Sequence, residues 1–214
     1  MTERQMATTL GEVRADHLAR YQFAIAELTK RGKTNSIIDA GCGVGYGSAL
    51  LASAVDTVTS IEIDDAAYEI YRNHWQRDNI DFHRVNLMQF QCQKKVDAVV
   101  CFEFIEHVEF CEPVIERFSQ WSDLLIISAP NEEVRPHLQE PVNRFHFRHF
   151  RPCELQEIVE RYGFSVEHWH CQRNGSKPAI CEGTDGKFII AVCQQKRARL
   201  ASRPLRFASA LRSG

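Results

Sequence analysis

The sequence predicts an α/β protein with a doubly wound, mostly parallel seven-stranded sheet and an antiparallel hairpin at its C-terminal edge. Strand-like and helix-like segments alternate from residue 36 to residue 162, which is typical of parallel strands covered by helices on both faces. The last two strand-like segments have no helix between them, and this indicates the hairpin. No internal repeat interrupts the order of segments.

The elements follow in chain order. Residues 11–30 place apolar side chains on one helical stripe, and the Arg31–Gly32 pair ends that helix. Seven segments rich in apolar or β-branched residues are predicted strands: 36–40, 57–63, 81–85, 96–104, 123–129, 164–171 and 187–195. Four further segments are predicted helices: 46–54, 65–76, 111–118 and 152–162. The stretch 130–151 has no periodicity, and segment 173–187 is predicted to connect the last two strands.

Composition places these elements in one domain. The chain has 214 residues, with 44% hydrophobic and 25% charged residues, which is ordinary globular usage. We expect a domain over residues 1–194, with residues 1–32 as an N-terminal cap-helix region. Residues 195–214 form a basic tail, predicted to be disordered, with six Lys or Arg and no acid.

The charge distribution bears on partners. The net charge is −2, so subtracting the tail's +6 leaves residues 1–194 at −8. An acidic body argues against a general nucleic-acid-binding protein. The tail has a second interpretation besides disorder, namely a weak contact with an anionic membrane surface.

Cysteine placement and the N-terminal sequence bear on the compartment. Several of the eight cysteines lie in apolar strand-like runs, and no C-x-x-C pair is present, so we expect reduced, mostly structural thiols. No apolar run reaches the roughly 20 residues that cross a bilayer, and the N-terminus lacks the apolar core of a signal peptide. A cytoplasmic location is therefore expected.

Four glycines in seven residues, "GCGVGYG", follow the predicted strand 36–40. A phosphate-binding P-loop requires a lysine after the glycines, which this sequence lacks. The G-x-G-x-G spacing also fits the dinucleotide fingerprint G-x-G-x-x-G poorly. What matches is D-x-G-x-G-x-G, which begins at Asp39. Glu62 ends the next strand about 20 residues later, where an acid accepts both ribose hydroxyls of an adenosine ligand.

With these motifs the chain resembles the methyltransferase type 11 and type 23 families from His17 to about Cys193. The similar segments are "HLARYQFA", "GCGVGYGSALLA", "SIEID", "VVCFEFIEHV" and "SAPN", in the same order. The resemblance implies a class I, Rossmann-like methyltransferase, an enzyme whose cofactor is S-adenosyl-L-methionine.

The resemblance also implies the cofactor site. Asp39 would orient the loop and meet the cofactor's amino group, and Glu62 would hold the ribose. The loop would run along the carboxypropyl end through Gly41, Cys42, Gly43 and Gly45. The remaining implied contacts are Ile63 on the adenine face, Asn86 in place of the family's usual Asp, Leu87 through its backbone, Cys101 and Phe102 beside the sulfonium, and Tyr21 as a cap.

Methyl transfer needs an aligned acceptor and, where that acceptor is protonated, a base. Glu103, His107 and His146 are the candidate catalytic residues. His146 stands in the non-periodic segment after the fifth strand, where loops line ligand clefts in such sheets. His107 has a second interpretation, because with Glu106 it could simply fix the start of the next helix.

Glu103, Glu106, His107 and His146 also resemble the metal-binding set of the small-RNA 3′-terminal 2′-O-methyltransferases. Two carboxylates and two imidazoles suit manganese or magnesium. We favour the metal-free arrangement, because a metal requires all four groups to meet in space.

The expected function is transfer of a methyl group to an oxygen or nitrogen of a small-molecule, saccharide or lipid-linked acceptor. Two alternatives stay open: the metal-dependent RNA-end methyltransferase, and a non-catalytic, cofactor-binding partner of another methyltransferase. The sequence leaves the acceptor atom, the pathway and the oligomeric state open.

Overall fold

The computed structural model describes residues 5–139, 142–174 and 177–196. The predicted basic tail lies outside the described residues, except for residues 195 and 196. Within the described ranges, no helix combines the length and the apolar character that a membrane crossing requires.

The described residues form five α-helices and eight strands. The helices are α1 (Ala15–Lys30), α2 (Tyr46–Leu51), α3 (Asp65–Ile70), α4 (Glu112–Trp121) and α5 (Pro152–Arg161). The strands are β1 (Ser36–Ala40), β2 (Thr57–Glu62), β3 (Ile80–Arg84), β4 (Ala98–Phe102), β5 (Leu124–Pro130), β6 (Phe164–Asn174), β7 (Lys177–Glu182) and β8 (Phe188–Gln195).

All eight strands form one sheet in the order β3-β2-β1-β4-β5-β8-β6-β7. The pairs among β1 to β5 are parallel, whereas β8 runs antiparallel to both β5 and β6. This confirms the predicted α/β class and its antiparallel C-terminal edge. The sheet has one strand more than the seven predicted, because part of segment 173–187 forms β7 and pairs with β6. Pro178 argued against a strand in the sequence, because proline is confined to the edges of sheets. The strand β7 lies at such an edge.

The predicted helix boundaries shift by a few residues. The first helix begins at Ala15, four residues later than expected, after a 3₁₀ turn at Leu10–Glu12. The second ends at Leu51 instead of residue 54. The third stops at Ile70 and continues as a π-helical turn, Tyr71–Trp75. There the Trp75 indole donates a hydrogen bond to the Ala7 carbonyl (2.9 Å), a long-range contact that sequence periodicity does not report.

The core lies on both faces of the sheet. The central strands β4 and β5 are buried along their whole length, as expected for strands covered on both sides. On one face Val99 packs in a cluster with Phe118 of α4, and on the other Val100 packs with Leu28 of α1 and Leu51 of α2. Because β1 to β5 are parallel, the segments after them all emerge at one edge of the sheet.

Helix α1 meets the start of α2 at Gly47. A Cβ atom at that position would lie 1.9 Å from Cζ of Tyr21, so only glycine lets the tyrosine ring sit there.

We expect Gly47→Ala to lower the free energy of unfolding by about 1–3 kcal/mol, the usual penalty for overpacking a buried site. Urea titration measures this. Gly11→Ala is the matched control, because a Cβ there meets no described atom within 4 Å. Combining Gly47→Ala with Tyr21→Ala should remove most of the penalty, and strict additivity of the two changes would contradict the proposed clash.

Candidate active site

The glycine loop leaves β1 and is tied directly to β2. The backbone N–H groups of Gly41 and Cys42 both donate to the carbonyl of Ile61, at 2.9 and 3.2 Å. Gly41, Gly43 and Gly45 all have positive φ, between 56° and 90°, which side chains rarely adopt. The loop therefore needs glycines for its own path, before any ligand is considered.

Gly41 and Gly43 differ in what a side chain would meet. A Cβ at Gly41 would lie 2.3 Å from the Phe104 ring, so glycine is needed there for packing. A Cβ at Gly43 would meet no described atom within 4 Å. Its bare backbone faces open space at the edge of the sheet, where the resemblance to methyltransferases implies the carboxypropyl end of the cofactor.

Glu62 holds the loop from the end of β2. Its buried carboxylate accepts backbone N–H bonds from Gly43 (3.1 Å), Ile63 (2.9 Å) and Asp64 (3.1 Å). These bonds fix the carboxylate at the carboxyl end of the strand, as a ribose-binding acid requires. The predicted ribose contact itself stays a prediction.

Asp39, Tyr21 and Ser48 form a buried polar group beneath the loop. The hydroxyls of Tyr21 and Ser48 donate to the two carboxylate oxygens of Asp39, at 3.2 and 2.6 Å. Burial raises the pKa of Asp39 to about 6, and the charge of Glu62 adds to the rise against these two bonds. A cation bound beside Asp39 would favour its ionised form. The predicted contact with the amino group of the cofactor would therefore offset the cost of burying this charge.

The residues predicted to surround adenine and sulfonium take distinct positions. Ile63 is 60% exposed, which leaves its side chain open to an aromatic ligand. Asn86 is exposed and accepts from the N–H of Met88 (2.9 Å), whereas the Leu87 side chain packs into the core. Leu87 could therefore offer a ligand only its backbone, as predicted.

Cys101 and Phe102 end β4 as expected. Burial raises the pKa of the Cys101 thiol well above its usual range, so that side chain stays protonated. The Phe102 ring meets the Tyr21 ring edge-on at 5.2 Å. Tyr21 thus lies between β4 and Asp39, the position that its predicted capping role requires.

Arg20 is a candidate that the sequence analysis missed. It is fully buried; its Nη1 donates to the side chain of Gln172, and its Nη2 has no hydrogen-bond partner among the described residues. Arg20 also depresses the pKa of Tyr46, at the start of α2, opposing the larger effect of burial. The buried guanidinium already has an anion beside it, the Asp16 carboxylate 3.9 Å from Nη1, and its Nη2 could donate to a second one such as the carboxylate of the cofactor. The sequence feature that could have pointed to Arg20 was its charge at a position next to Tyr21 in the predicted first helix.

Glu103 does not join His107 and His146, the other two candidate catalytic residues. It has φ of 50°, rare for a residue with a side chain. Its carboxylate accepts from the Ser128 hydroxyl at 2.7 Å, and its N–H donates to the same oxygen at 3.2 Å. Glu103 is thereby bound to β5.

Glu106, His107 and His146 do converge. One potential ligand atom from each lies within 4.8 Å of the others, and the two imidazole rings stand 4.7 Å apart at 88°. The segment after β5 is held in place there by two bonds. The Phe147 N–H donates to the Glu106 carbonyl (2.8 Å), and Nδ1 of His107 donates to the Phe145 carbonyl (2.9 Å).

The surroundings of His146 keep it uncharged. Burial lowers the pKa of His146 to about 3, and His107, His149 and Arg135 lower it further by charge repulsion. At physiological pH its ring is therefore neutral. A neutral imidazole is the form that binds a metal ion or accepts a proton.

Comparison with known proteins shows which family has this fold and site. Residues 12–169 match the family described as a methyltransferase domain. A probable S-adenosylmethionine-dependent methyltransferase of Mycolicibacterium smegmatis is 31% identical over 182 residues, which is 83% of this chain and 70% of that protein. One of Mycobacterium tuberculosis is 30% identical over 154 residues, 68% of this chain and 54% of its own length. The chain thus spans about half of that relative.

The chain belongs to this methyltransferase domain family. It is an S-adenosylmethionine-dependent methyltransferase, so the predicted enzyme class and cofactor are confirmed. Solved structures share the fold. Magnesium protoporphyrin IX methyltransferase from Synechocystis, with bound S-adenosylhomocysteine, has a TM-score of 0.68 and 19% identity, over 89% of each chain. The methyltransferase domain of bacterial CtHen1 has a TM-score of 0.65 and 20% identity, over 84% of this chain and 98% of its own.

Glu62→Ala should weaken binding of S-adenosylmethionine by about 1–3 kcal/mol, because the loop loses its carboxylate anchor and the ribose its acceptor. Calorimetry would show this as a fall in affinity of roughly 5- to 150-fold. Glu69→Ala, on the exposed side of α3, is the control and should bind like the wild type. Unchanged affinity in Glu62→Ala would contradict the assignment.

Asp39→Asn should change how stability depends on pH in the cofactor-free protein. The folded-state pKa of Asp39 is about 6, above its ordinary value of 3.8. Its contribution is therefore fully present below pH 3.8 and is lost as the pH rises through 6. That loss is about 3 kcal/mol.

Urea unfolding at a series of pH values measures this effect. The stability of the wild type relative to Asp39→Asn should fall over that interval. Asp56→Asn, at an exposed position, should run parallel to the wild type. Parallel curves for Asp39→Asn as well would show that the carboxyl is not perturbed.

Proposed function

We propose that this enzyme methylates a hydroxyl of a small-molecule, saccharide or lipid-linked acceptor, with an amine as the less favoured target. The observation that supports this proposal is the position of His146. Its ring is buried and neutral, and its neighbours in sequence, Phe145 and Phe147, are each 55% exposed on the segment that follows β5. A proton acceptor on a segment that also exposes aromatic side chains suits a ring-shaped acceptor that presents a hydroxyl.

The wider surface supports an acceptor with apolar character. Among the described residues, nine large hydrophobic side chains are exposed. Seven of them lie in segments that follow β2, β3, β4 or β5, at the edge of the sheet where the glycine loop lies, here called the binding edge. These seven are Ile63, Met88, Phe110, Val134, Leu138, Phe145 and Phe147. Exposed apolar side chains gathered at one edge are typical of a ligand or partner site.

A base at His146 favours oxygen over nitrogen as the acceptor atom. S-adenosylmethionine, when bound, supplies a methyl group on a positively charged sulfur. An attacking hydroxyl becomes strongly acidic as its oxygen bonds to the methyl carbon, so His146 can take the proton although its pKa is about 3. A neutral amine attacks through its lone pair and needs no base for that step, so a base at this position serves a hydroxyl acceptor better.

The metal-dependent RNA-end methyltransferase is the second candidate, and one observation favours it. Glu106, His107 and His146 offer a carboxylate and two imidazoles at one point, a donor set that suits manganese. Glu103, the fourth member of the resembled set, is bound to Ser128 instead. A cation held by the three converging residues would orient two neighbouring hydroxyls of a ribose, or equally of a saccharide.

We expect His146→Ala to lower turnover by about 10²- to 10⁴-fold while cofactor affinity stays intact, because the acceptor proton loses its base. Labelled S-adenosylmethionine with cell extract as the acceptor source measures turnover, and calorimetry measures cofactor binding. His168→Ala, exposed in β6, is the matched histidine control.

EDTA separates the two candidates. Activity that survives chelation supports the base. Activity that is lost on chelation and restored by manganese would favour the metal-dependent alternative and make His146 a ligand. Wild-type turnover in His146→Ala would overturn both roles.

A further inference from the structure

We propose that His149 is a positioning residue that fixes the ring tautomer of His146, so that Nε2 of His146 carries the lone pair. The inference rests on the proposed role of His146 at the acceptor site. His149 is buried in the segment after β5, and the sequence alone suggests only a surface or core histidine there.

The chain of hydrogen bonds begins at a backbone carbonyl. Nδ1 of His149 lies 2.6 Å from the carbonyl oxygen of Arg135. A carbonyl oxygen can only accept, so this ring nitrogen must carry a hydrogen. In the neutral ring of His149 the other nitrogen, Nε2, is then the acceptor.

The second bond transmits this choice. Nε2 of His149 lies 2.8 Å from Nδ1 of His146, and both rings are buried. Because His149 offers an acceptor there, His146 must donate from Nδ1. The lone pair of His146 is consequently on Nε2, which is the form required of a base or a cation ligand.

The carbonyl at the start of the chain is itself held firmly. The turn after β5 is closed by the Arg135 N–H, which donates to the carbonyl of Asn131 at 2.8 Å. The buried Asn131 amide donates to the carbonyls of Thr184 and Gly186, at 2.7 and 2.9 Å. The Arg135 carbonyl therefore has little freedom to leave His149.

His146 is also held through its backbone. Nε2 of His137 lies 2.9 Å from the carbonyl of His146, and the N–H of His137 donates to the carboxylate of Glu132 at 2.8 Å. These contacts hold the backbone of His146 in place, so the ring stays within reach of His149. Its tautomer is thus set by a rigid environment.

His107 shows the same arrangement independently. Its Nδ1 lies 2.9 Å from the carbonyl of Phe145, so Nδ1 must donate, and in the neutral ring Nε2 carries the lone pair. The two rings that meet Glu106 are therefore both held with Nδ1 as the donor. Without His149, Nδ1 of His146 would lose its acceptor, and the hydrogen would no longer be held on that nitrogen.

Two substitutions isolate the acceptor that His149 provides. His149→Phe keeps a ring but removes both nitrogens. His149→Gln places an amide oxygen near the former Nε2 position, and its NH₂ group is drawn to the far side by the Arg135 carbonyl and the Glu132 carboxylate, which lies 3.9 Å from Nδ1. Gln should therefore preserve the bond to His146, and Phe should not.

The readout is the imidazole ¹⁵N–¹H correlation spectrum of the cofactor-bound protein, with His146 signals assigned by their loss in His146→Gln. In the wild type and in His149→Gln we expect the hydrogen of His146 on Nδ1. In His149→Phe we expect it on Nε2, with turnover lowered about 10- to 100-fold and cofactor affinity unchanged.

Two outcomes would overturn the inference. One is His149→Phe keeping the hydrogen on Nδ1 of His146. The other needs no variant: a wild-type spectrum with neutral His146 or His149 protonated on Nε2, which decides the matter even where His149→Phe does not fold. Failure of the proposed function is separate, because unimpaired turnover in His146→Ala would leave the tautomer assignment untouched.

Discussion

The binding edge depends on the bonds that tie the glycine loop to β2. Two N–H groups of the loop bind the Ile61 carbonyl, and a third binds the Glu62 carboxylate. Parallel pairing of β1 with β2 aligns Ala40 with Ile61, so the loop begins beside its acceptors. Glycines with positive φ then let the chain turn back over them. The positions of the loop and of the acid are thus consequences of one strand register.

Helix α1 joins this edge through a buried carboxylate. Tyr21 fits only because Gly47 has no side chain, and its hydroxyl reaches Asp39 from above. Desolvation makes ionised Asp39 unfavourable, with its pKa raised to about 6. In the cofactor-free protein the ionised carboxylate of Asp39 is therefore destabilised by burial, and a bound ammonium group would stabilise it. The predicted contact with the amino group of the cofactor would therefore link stability to cofactor binding at this residue.

The acceptor side is built differently, from backbone carbonyls that orient imidazole rings. The carbonyls of Phe145 and Arg135 each receive a ring N–H, from His107 and His149. The described residues after β5 in this stretch, 131–139 and 142–151, form no helix or sheet strand, yet their carbonyls orient imidazole rings as carboxylates often do around metal-binding histidines. Irregular backbone is suited to this, because its carbonyls are not used by a helix or sheet ladder.

The sequence by itself determined the α/β class, the order of all elements except β7, and the cofactor family. These depend on local patterns: apolar alternation, the glycine spacing, and an acid at the end of β2. Only the tertiary structure decided which groups meet. Glu103 and Glu106 are three residues apart, yet one binds Ser128 and the other joins His107 and His146, because positive φ at Glu103 redirects the chain. His149 and Arg20 acquired their significance only through partners distant in sequence, since hydrogen bonds between such residues leave no periodic trace.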